Sequence, residues 1–251
     1  MNSRSCDDTF GDYVIQTSAH GGECPYVSVI MPVYNGAATL ERAIDSVISQ
    51  VFPDFELILV NDGSTDDTGR IIEMAANADP RIVSISNERN IGLTRSLIRA
   101  IRSARGEIIA RQDADDVSLP ERFQRQLAWF PNYDFVCCRT LLDNGRISPR
   151  LPTIMLHRHM VRVKNVYIHG TFMFKKELYE RVGGYDPDIR FAQDYDLVLR
   201  MAGHAGAKIK YLAQPLYISF KGPLCISRFN LKEQNACKRK IIEKNRRAMC
   251  R

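Results

Sequence analysis

The sequence predicts an α/β fold: a mostly parallel sheet flanked by helices, built as a single domain. Two observations carry that expectation. From Tyr26 onward, short apolar runs alternate with segments of helical period, the pattern of successive βαβ units. Each apolar run then opens into a polar loop rich in Asn, Asp and Gly. In open α/β sheets, ligands bind outside the carboxyl ends of the strands, so these loops are expected to crowd one functional rim.

Taken in order, Val27 to Met31 reads as a buried strand. Leu40, Ala43, Ile44, Val47 and Ile48 then fall on one helical face. Glu56 to Val60 is the second strand, and Ile71, Ile72, Met74 and Ala75 mark the helix after it. Ile82 to Ile85 is a third strand, Leu93, Leu97, Ile98 and Ile101 a third helix, and Glu107 to Ala110 a fourth strand. Continuous apolar runs, rather than alternating ones, are what strands covered on both faces show. The second half is less regular. A helix is expected over Phe123 to Phe130, a strand over Thr171 to Phe174, a helix over Asp194 to Met201 and strand over Lys208 to Phe220. Residues 134–168 carry no clear period. The expected layout is a flexible extension over 1–24, a domain over 25–220 with a nucleotide-binding half (25–116) and an acceptor-binding half (117–220), and a basic helical tail over 221–251.

Composition sets limits. The chain has 251 residues, 45% hydrophobic and 25% charged, with a net charge of +6. That suits one sizeable globular domain and polyanionic ligands such as nucleotide diphosphates. The apolar runs fall far short of the roughly 20 residues a membrane-spanning helix needs. The first 24 residues, with Asp7, Asp8, Asp12 and Glu23, do not read as a secretory signal. Seven scattered cysteines, an odd number without a C-x-x-C pair, read as reduced thiols in a cytoplasmic protein. The chain contains no G-x-G, no G-K-[S/T], no H-E-x-x-H and no G-x-S-x-G, so the usual dehydrogenase, NTPase, zincin and hydrolase signatures are missing.

Three acidic loops remain as candidates. Asp113-Ala114-Asp115-Asp116 follows the fourth strand; carboxylates packed this closely repel one another unless a cation neutralises them. A divalent ion held by one or two of them and by ligand phosphates is the hard-oxygen solution, and a solvated acidic turn is the alternative. Asp62, after the second strand, can accept from a nucleobase imide or from ribose hydroxyls, while Ser64 or Asp66 caps the next helix. Asp194 and Asp196 open a helix, where acids suit the dipole or one serves as a general base.

Taken together, Val29-Ile30-Met31-Pro32-Val33-Tyr34-Asn35-Gly36, Asn61-Asp62-Gly63-Ser64-Thr65-Asp66, Asp113-Ala114-Asp115-Asp116, Gly183-Gly184-Tyr185-Asp186 and Asp194-Tyr195-Asp196-Leu197 resemble family 2 glycosyltransferases, in order and spacing, over about Pro25 to Gly203. The resemblance implies a GT-A type, Rossmann-like fold, a nucleotide-sugar donor (commonly a UDP-sugar), a Mg²⁺ or Mn²⁺ ion and inversion at the anomeric carbon. It gives the nucleotide sugar Pro32, Tyr34, Asp62, Arg95, Asp113 and Ala114, the metal Asp115, and the role of catalytic base Asp194. His169 and Gln193 would border the acceptor or diphosphate. The family often has Glu where Gln193 stands, which leaves the acceptor hydrogen bonding of that position open. The implied partners are the donor and a glycan or lipid-linked acceptor, in cell-surface polysaccharide or glycolipid synthesis.

The basic tail (Lys238, Arg239, Lys240, Lys244, Arg246, Arg247, Arg251) reads as a solvated helix. Contact with anionic headgroups at the inner membrane face is the alternative. Few aromatics interleave with it, which argues against nucleic acid. The rival functions are a sugar-nucleotide nucleotidyltransferase and an inactive nucleotide-sugar-binding module.

Overall fold

In a computed structural model of the protein, which describes residues 24–150, 157–161, 163, 165–220 and 231–249, the first half repeats one unit three times. Strands β1 (Val27–Val33), β2 (Phe55–Asn61), β3 (Ile82–Ser86) and β4 (Ile108–Arg111) are separated by helices α1 (Leu40–Ile48), α2 (Thr68–Ala78) and α3 (Leu93–Ser103). The second half contains β5 (Val117–Ser118), α4 (Arg122–Leu127), β6 (Phe135–Leu142), β7 (Ile147–Ser148), α5 (His157–Met160), a 3₁₀ turn at His169–Thr171, β8 (Met173–Lys175), α6 (Lys176–Arg181), α7 (Gln193–Gly203), β9 (Ile209–Ser219) and α8 (Leu231–Met249). The expected extension over 1–24 lies outside the described residues, apart from Cys24.

All these strands share one sheet in the order β3-β2-β1-β4-β8-β6-β9-β5, with β7 on β6. Pairing is parallel from β3 to β4 and between β6 and β9. It turns antiparallel where β8 joins β4 to β6 and where β5 and β7 attach. The sheet is therefore mixed and mostly parallel. The strand that periodicity did not find, β6, lies inside the stretch without a pattern. Its sequence Phe135-Val136-Cys137-Cys138-Arg139-Thr140 places two cysteines where aliphatic residues would have made the run plain.

Alternation along the strands sorts the core into two layers. Ile30, Ile58, Val60 and Ile109 pack with Leu97, Ala100 and Ile101 of α3 and with α7. Val29, Met31, Leu57, Leu59, Ile108 and Ala110 pack with Leu40, Ile44 and Val47 of α1, with α2 and with Phe123. Covering both faces explains why every residue of β1 is buried. Pro32 is tolerated in this central strand because the β1–β4 register ends at Ile30 opposite Arg111, so no ladder bond is lost there.

Within the described residues of the tail, α8 is not solvated all round. Ile241 is only 4% exposed and joins the core layer that contains Tyr195, Val198 and Leu199 of α7. Ile242 packs against the same layer, and Asn245 is buried beside it.

Candidate functional site

The carboxyl ends of β1, β2 and β4 do converge, and their loops are tied to one another. After β1, Asn35 N–H donates to Ser64 Oγ (3.0 Å), Gly36 N–H to Thr68 Oγ1 (2.9 Å) and Ala37 N–H to Asp66 Oδ2 (3.1 Å). Thr65 N–H returns a bond to Asn35 Oδ1. Asp66 also accepts from Thr68 N–H, a turn bond ahead of α2, whose N-cap position falls at Asp67 rather than at the expected Ser64 or Asp66. These bonds fix Tyr34 at the rim, where it is 49% exposed.

Asp62 is only 3% exposed. Its Oδ1 accepts from Asn87 Nδ2 (2.8 Å) and Ile91 N–H (2.9 Å), and its Oδ2 from Gly92 N–H (2.9 Å). A carboxylate offers about four acceptor positions, so one on Oδ2 remains. Asp62 thus orders the loop leading into α3, on whose first turn Arg95 is exposed.

The loop after β4 is the most constrained. Thr39 Oγ1 donates to Ala114 O (3.0 Å), Arg42 Nη2 to Asp115 O (3.0 Å), and Gln112 Nε2 to the carbonyls of Asp113 and Asp116. Asp113 N–H donates to Tyr217 Oη, and Phe220 N–H to Asp116 Oδ1 (2.8 Å). Beneath the loop, Arg111 is 1% exposed and donates from Nη2 to Asp113 Oδ1 at 2.6 Å; its Nε and Nη1 meet no acceptor among the described residues. The backbone is locked while the carboxylates crowd. Burial and the neighbouring Asp113 push the Asp115 carboxyl up to about 6, and burial with both neighbours pushes Asp116 up to about 8.

No group of three His, Cys, Asp or Glu side chains forms a metal cage among the described residues. The carboxyls of Asp115 and Asp116 both carry raised pKa values that a nearby cation would lower, and Asp116 is the more committed of the two, since its Oδ1 accepts from Phe220 N–H. The remaining ligands of such an ion would come from phosphate oxygens and water.

The second acidic station is at the start of α7. Burial raises the carboxyl of Asp194, opposed by the Tyr195 N–H, the charge of Lys238 and a bond from Asn165. Asp196 is engaged otherwise: it is fully buried, and its Oδ2 accepts from Arg200 Nε (2.9 Å) and Nη2 (2.5 Å). Gln193 is buried.

Tyr185 links the two stations. Positive φ at Gly183 and Gly184 turns the chain after α6; a Cβ at Gly184 would fall 2.8 Å from the Tyr179 ring. The Tyr185 hydroxyl then lies 2.7 Å from His169 Nε2, and the charges of both Asp113 and Asp194 help hold its pKa well above the usual value, after burial. His169 is held neutral by burial and by Arg111. Next to it, Gly170 is required: a Cβ there would fall 2.7 Å from Asp113 Oδ2. So Asp113, Arg111, His169 and Tyr185 form one neighbourhood, and the charge of Asp194 reaches its Tyr185 end. Sequence reading missed Arg111, Tyr217 and Asn165; a charged residue ending an apolar strand was the available signal for Arg111.

Structural relatives show what this architecture is. S. aureus TarS in complex with UDP-GlcNAc superposes with a TM-score of 0.73 at 21% identity, covering 86% of this chain and 65% of that one. The mannosyltransferase PcManGT of Pyrobaculum calidifontis, in complex with GDP-Man and Mn²⁺, gives 0.66 at 23% identity, covering 84% and 61%. The fold is of the GT-A type. Residues 28–186 match Glycosyl transferase family 2, and the chain belongs to that family. EpsE of Bacillus subtilis is 37% identical over 70% of this chain and 66% of its own length. The O-antigen biosynthesis glycosyltransferase WbnJ of Escherichia coli is 32% identical over 70% of this chain and 71% of its own. The chain spans just under two thirds of EpsE.

Proposed function

We propose that the protein is an inverting glycosyltransferase that moves a sugar from a nucleotide-sugar donor, a UDP-sugar, to an acceptor hydroxyl in the synthesis of a cell-surface polysaccharide or glycolipid. The observation that supports this reading is that the acidic loop after β4 packs against His169–Gly170 and, through His169, against Tyr185, a hydroxyl that the charge of Asp194 also reaches.

In this reading Tyr34 covers the nucleobase with its exposed face, next to Pro32 in β1. Asp62 takes the base imide N–H on its remaining acceptor position, and Arg95 approaches the nucleotide from α3. Asp113 and the Ala114 backbone border the ribose and donor sugar, and Asp115 holds Mg²⁺ or Mn²⁺. That ion, when bound, supplies Lewis-acid neutralisation of the departing diphosphate. Asp194 accepts the proton of the acceptor hydroxyl as it attacks the anomeric carbon. Burial makes Asp194 a stronger base than a solvated aspartate, because general-base efficiency rises with pKa toward the working pH. His169 and Gln193 line the acceptor or diphosphate side. Retention through a covalent intermediate would need a second free carboxylate, and Asp196 is spent on Arg200. Inversion by direct displacement follows.

The half over 117–220 would supply the acceptor pocket. No helix among the described residues is long and apolar enough to cross a membrane. We place the protein in the cytoplasm, at the inner membrane face when its acceptor is lipid-linked, with the exposed Arg239 and Lys240 of α8 toward anionic headgroups. Incubating the full chain with a panel of nucleotide sugars and Mn²⁺ tests the reading. Release of nucleoside diphosphate is expected; release of pyrophosphate, or no turnover with any donor, overturns it.

A further inference from the structure

Asp194 opens α7, yet two of the groups that set its carboxylate come from distant parts of the chain. Asn165 Nδ2 donates to Asp194 Oδ2 at 2.7 Å. The amide is itself pinned, because its Oδ1 accepts from Tyr167 N–H at 3.0 Å; a backbone donor on the carbonyl side fixes which end of the amide faces the acid. Tyr167 is buried against Phe135 and Tyr211, and its hydroxyl pairs with His157 Nδ1 at 2.6 Å. The donor aimed at Asp194 is therefore anchored in the core.

The other group arrives on α8. Lys238, Ile241 and Asn245 are spaced i, i+3, i+7 and share one helical face. Ile241 enters the core layer of α7. Asn245 Nδ2 donates to Ile241 O (2.9 Å) and approaches Asp196 Oδ1 (3.4 Å). Lys244 Nζ pairs with Asp186 Oδ2 at 3.0 Å, one residue beyond Tyr185. These contacts dock α8 beside the first turn of α7, and the same face carries Lys238 toward Asp194.

We infer that Asn165 positions the Asp194 carboxylate through a direct hydrogen bond and that Lys238, on the docked face of α8, steadies its charged form across the gap, which makes the C-terminal helix part of the reactive site. The inference rests on Asp194 being the base. Facing Asp194 are Tyr195 N–H on its own helix, Tyr185 from the turn after α6, Asn165 from the segment after α5, and Lys238 from α8. Arg200 is committed to Asp196 and to Val182 O. Both positioning groups favour the ionised acid, so removing either should raise the pH at which Asp194 loses its proton.

The test compares the full-length protein with Asn165→Ala, Lys238→Met and Lys238→Arg. Carboxyl NMR follows the titration of Asp194, its resonance identified by Asp194→Asn. The expected result is a titration moved to higher pH in Asn165→Ala and Lys238→Met and largely retained in Lys238→Arg. In parallel, kcat should fall roughly tenfold or more through misplacement of the base. The acid limb of kcat/KM should move up in pH, with Mn²⁺-dependent UDP binding unchanged. An Asp194 titration identical in all four proteins overturns the inference. A titration that moves in a wild-type protein inert toward every donor would keep the clamp and remove Asp194 from the role of base.

Discussion

The two acidic stations are built on opposite plans. In the loop after β4 the backbone is tied at nearly every carbonyl, by Thr39, Arg42 and Gln112. The carboxylates of Asp115 and Asp116 are left to repel one another. At the start of α7 the side chains themselves are tied, Asp196 by an arginine and Asp194 by a neutral amide with a lysine charge nearby. A crowded carboxylate on a rigid backbone is prepared to receive a cation, since the unfavourable repulsion is relieved on binding. A buried carboxylate steadied by a neutral donor keeps a raised pKa and can take up a proton. In the proposed reading, that contrast assigns ion binding to the first station and proton transfer to the second.

The largest expected effect breaks the proton-transfer side. Asp194→Asn keeps the shape but removes the basic oxygen, so kcat should fall roughly 10²-fold or more while UDP binding with Mn²⁺ stays near wild type. Stopped assays of UDP release beside calorimetric titration decide it; unchanged turnover removes Asp194 from the mechanism. Asp115→Ala should do the converse and weaken Mn²⁺-dependent UDP binding about tenfold or more, the loss of a charge-assisted contact of ~1.5 kcal/mol. Binding measured without metal should change little. If both variants lose binding equally, the two stations are not separate in function.

How much of this was legible beforehand follows the same division. β1 to β4 and their helices were readable because doubly covered strands are uniformly apolar and end in Asn, Asp and Gly. Asp113 and Asp115 stood out as acids on such an end, and Asp194 as an acid opening a helix. The acceptor side was harder. β6 carries cysteines and an arginine where aliphatic residues would signal a strand. The partners of Asp194 sit 29 residues before it, at Asn165, and in a polar tail whose buried contact at Ile241 and Ile242 leaves almost no periodic trace. Local pattern reports elements that bury a whole face; it cannot report a contact made by one amide across the fold.

The repulsion in the loop after β4 also predicts a pH dependence. With Asp115 raised to about 6, Mn²⁺-dependent UDP binding should strengthen as pH rises through that value, because the ion binds the deprotonated acid. Titrations at pH 5 and 7.5 check the sign; equal affinity at both sinks it.

The smallest expected effect is on stability. Asp116, raised to about 8 in the folded protein from about 3.9 in an unfolded chain, binds its proton more tightly when folded. Its contribution is therefore most favourable below the unfolded value and is lost as pH climbs from there through the folded one. Asp116→Asn keeps an oxygen for Phe220 N–H without the charge. The variant should melt higher than wild type at pH 8, with each kcal/mol gained worth roughly 2–4 °C in a domain of this size, and match it near pH 4. Saturating Mn²⁺ and UDP should shrink the gap at pH 8, because a cation at Asp115 relieves the same repulsion. A gap of equal size at both pH values would mean that packing, not charge, separates the two proteins.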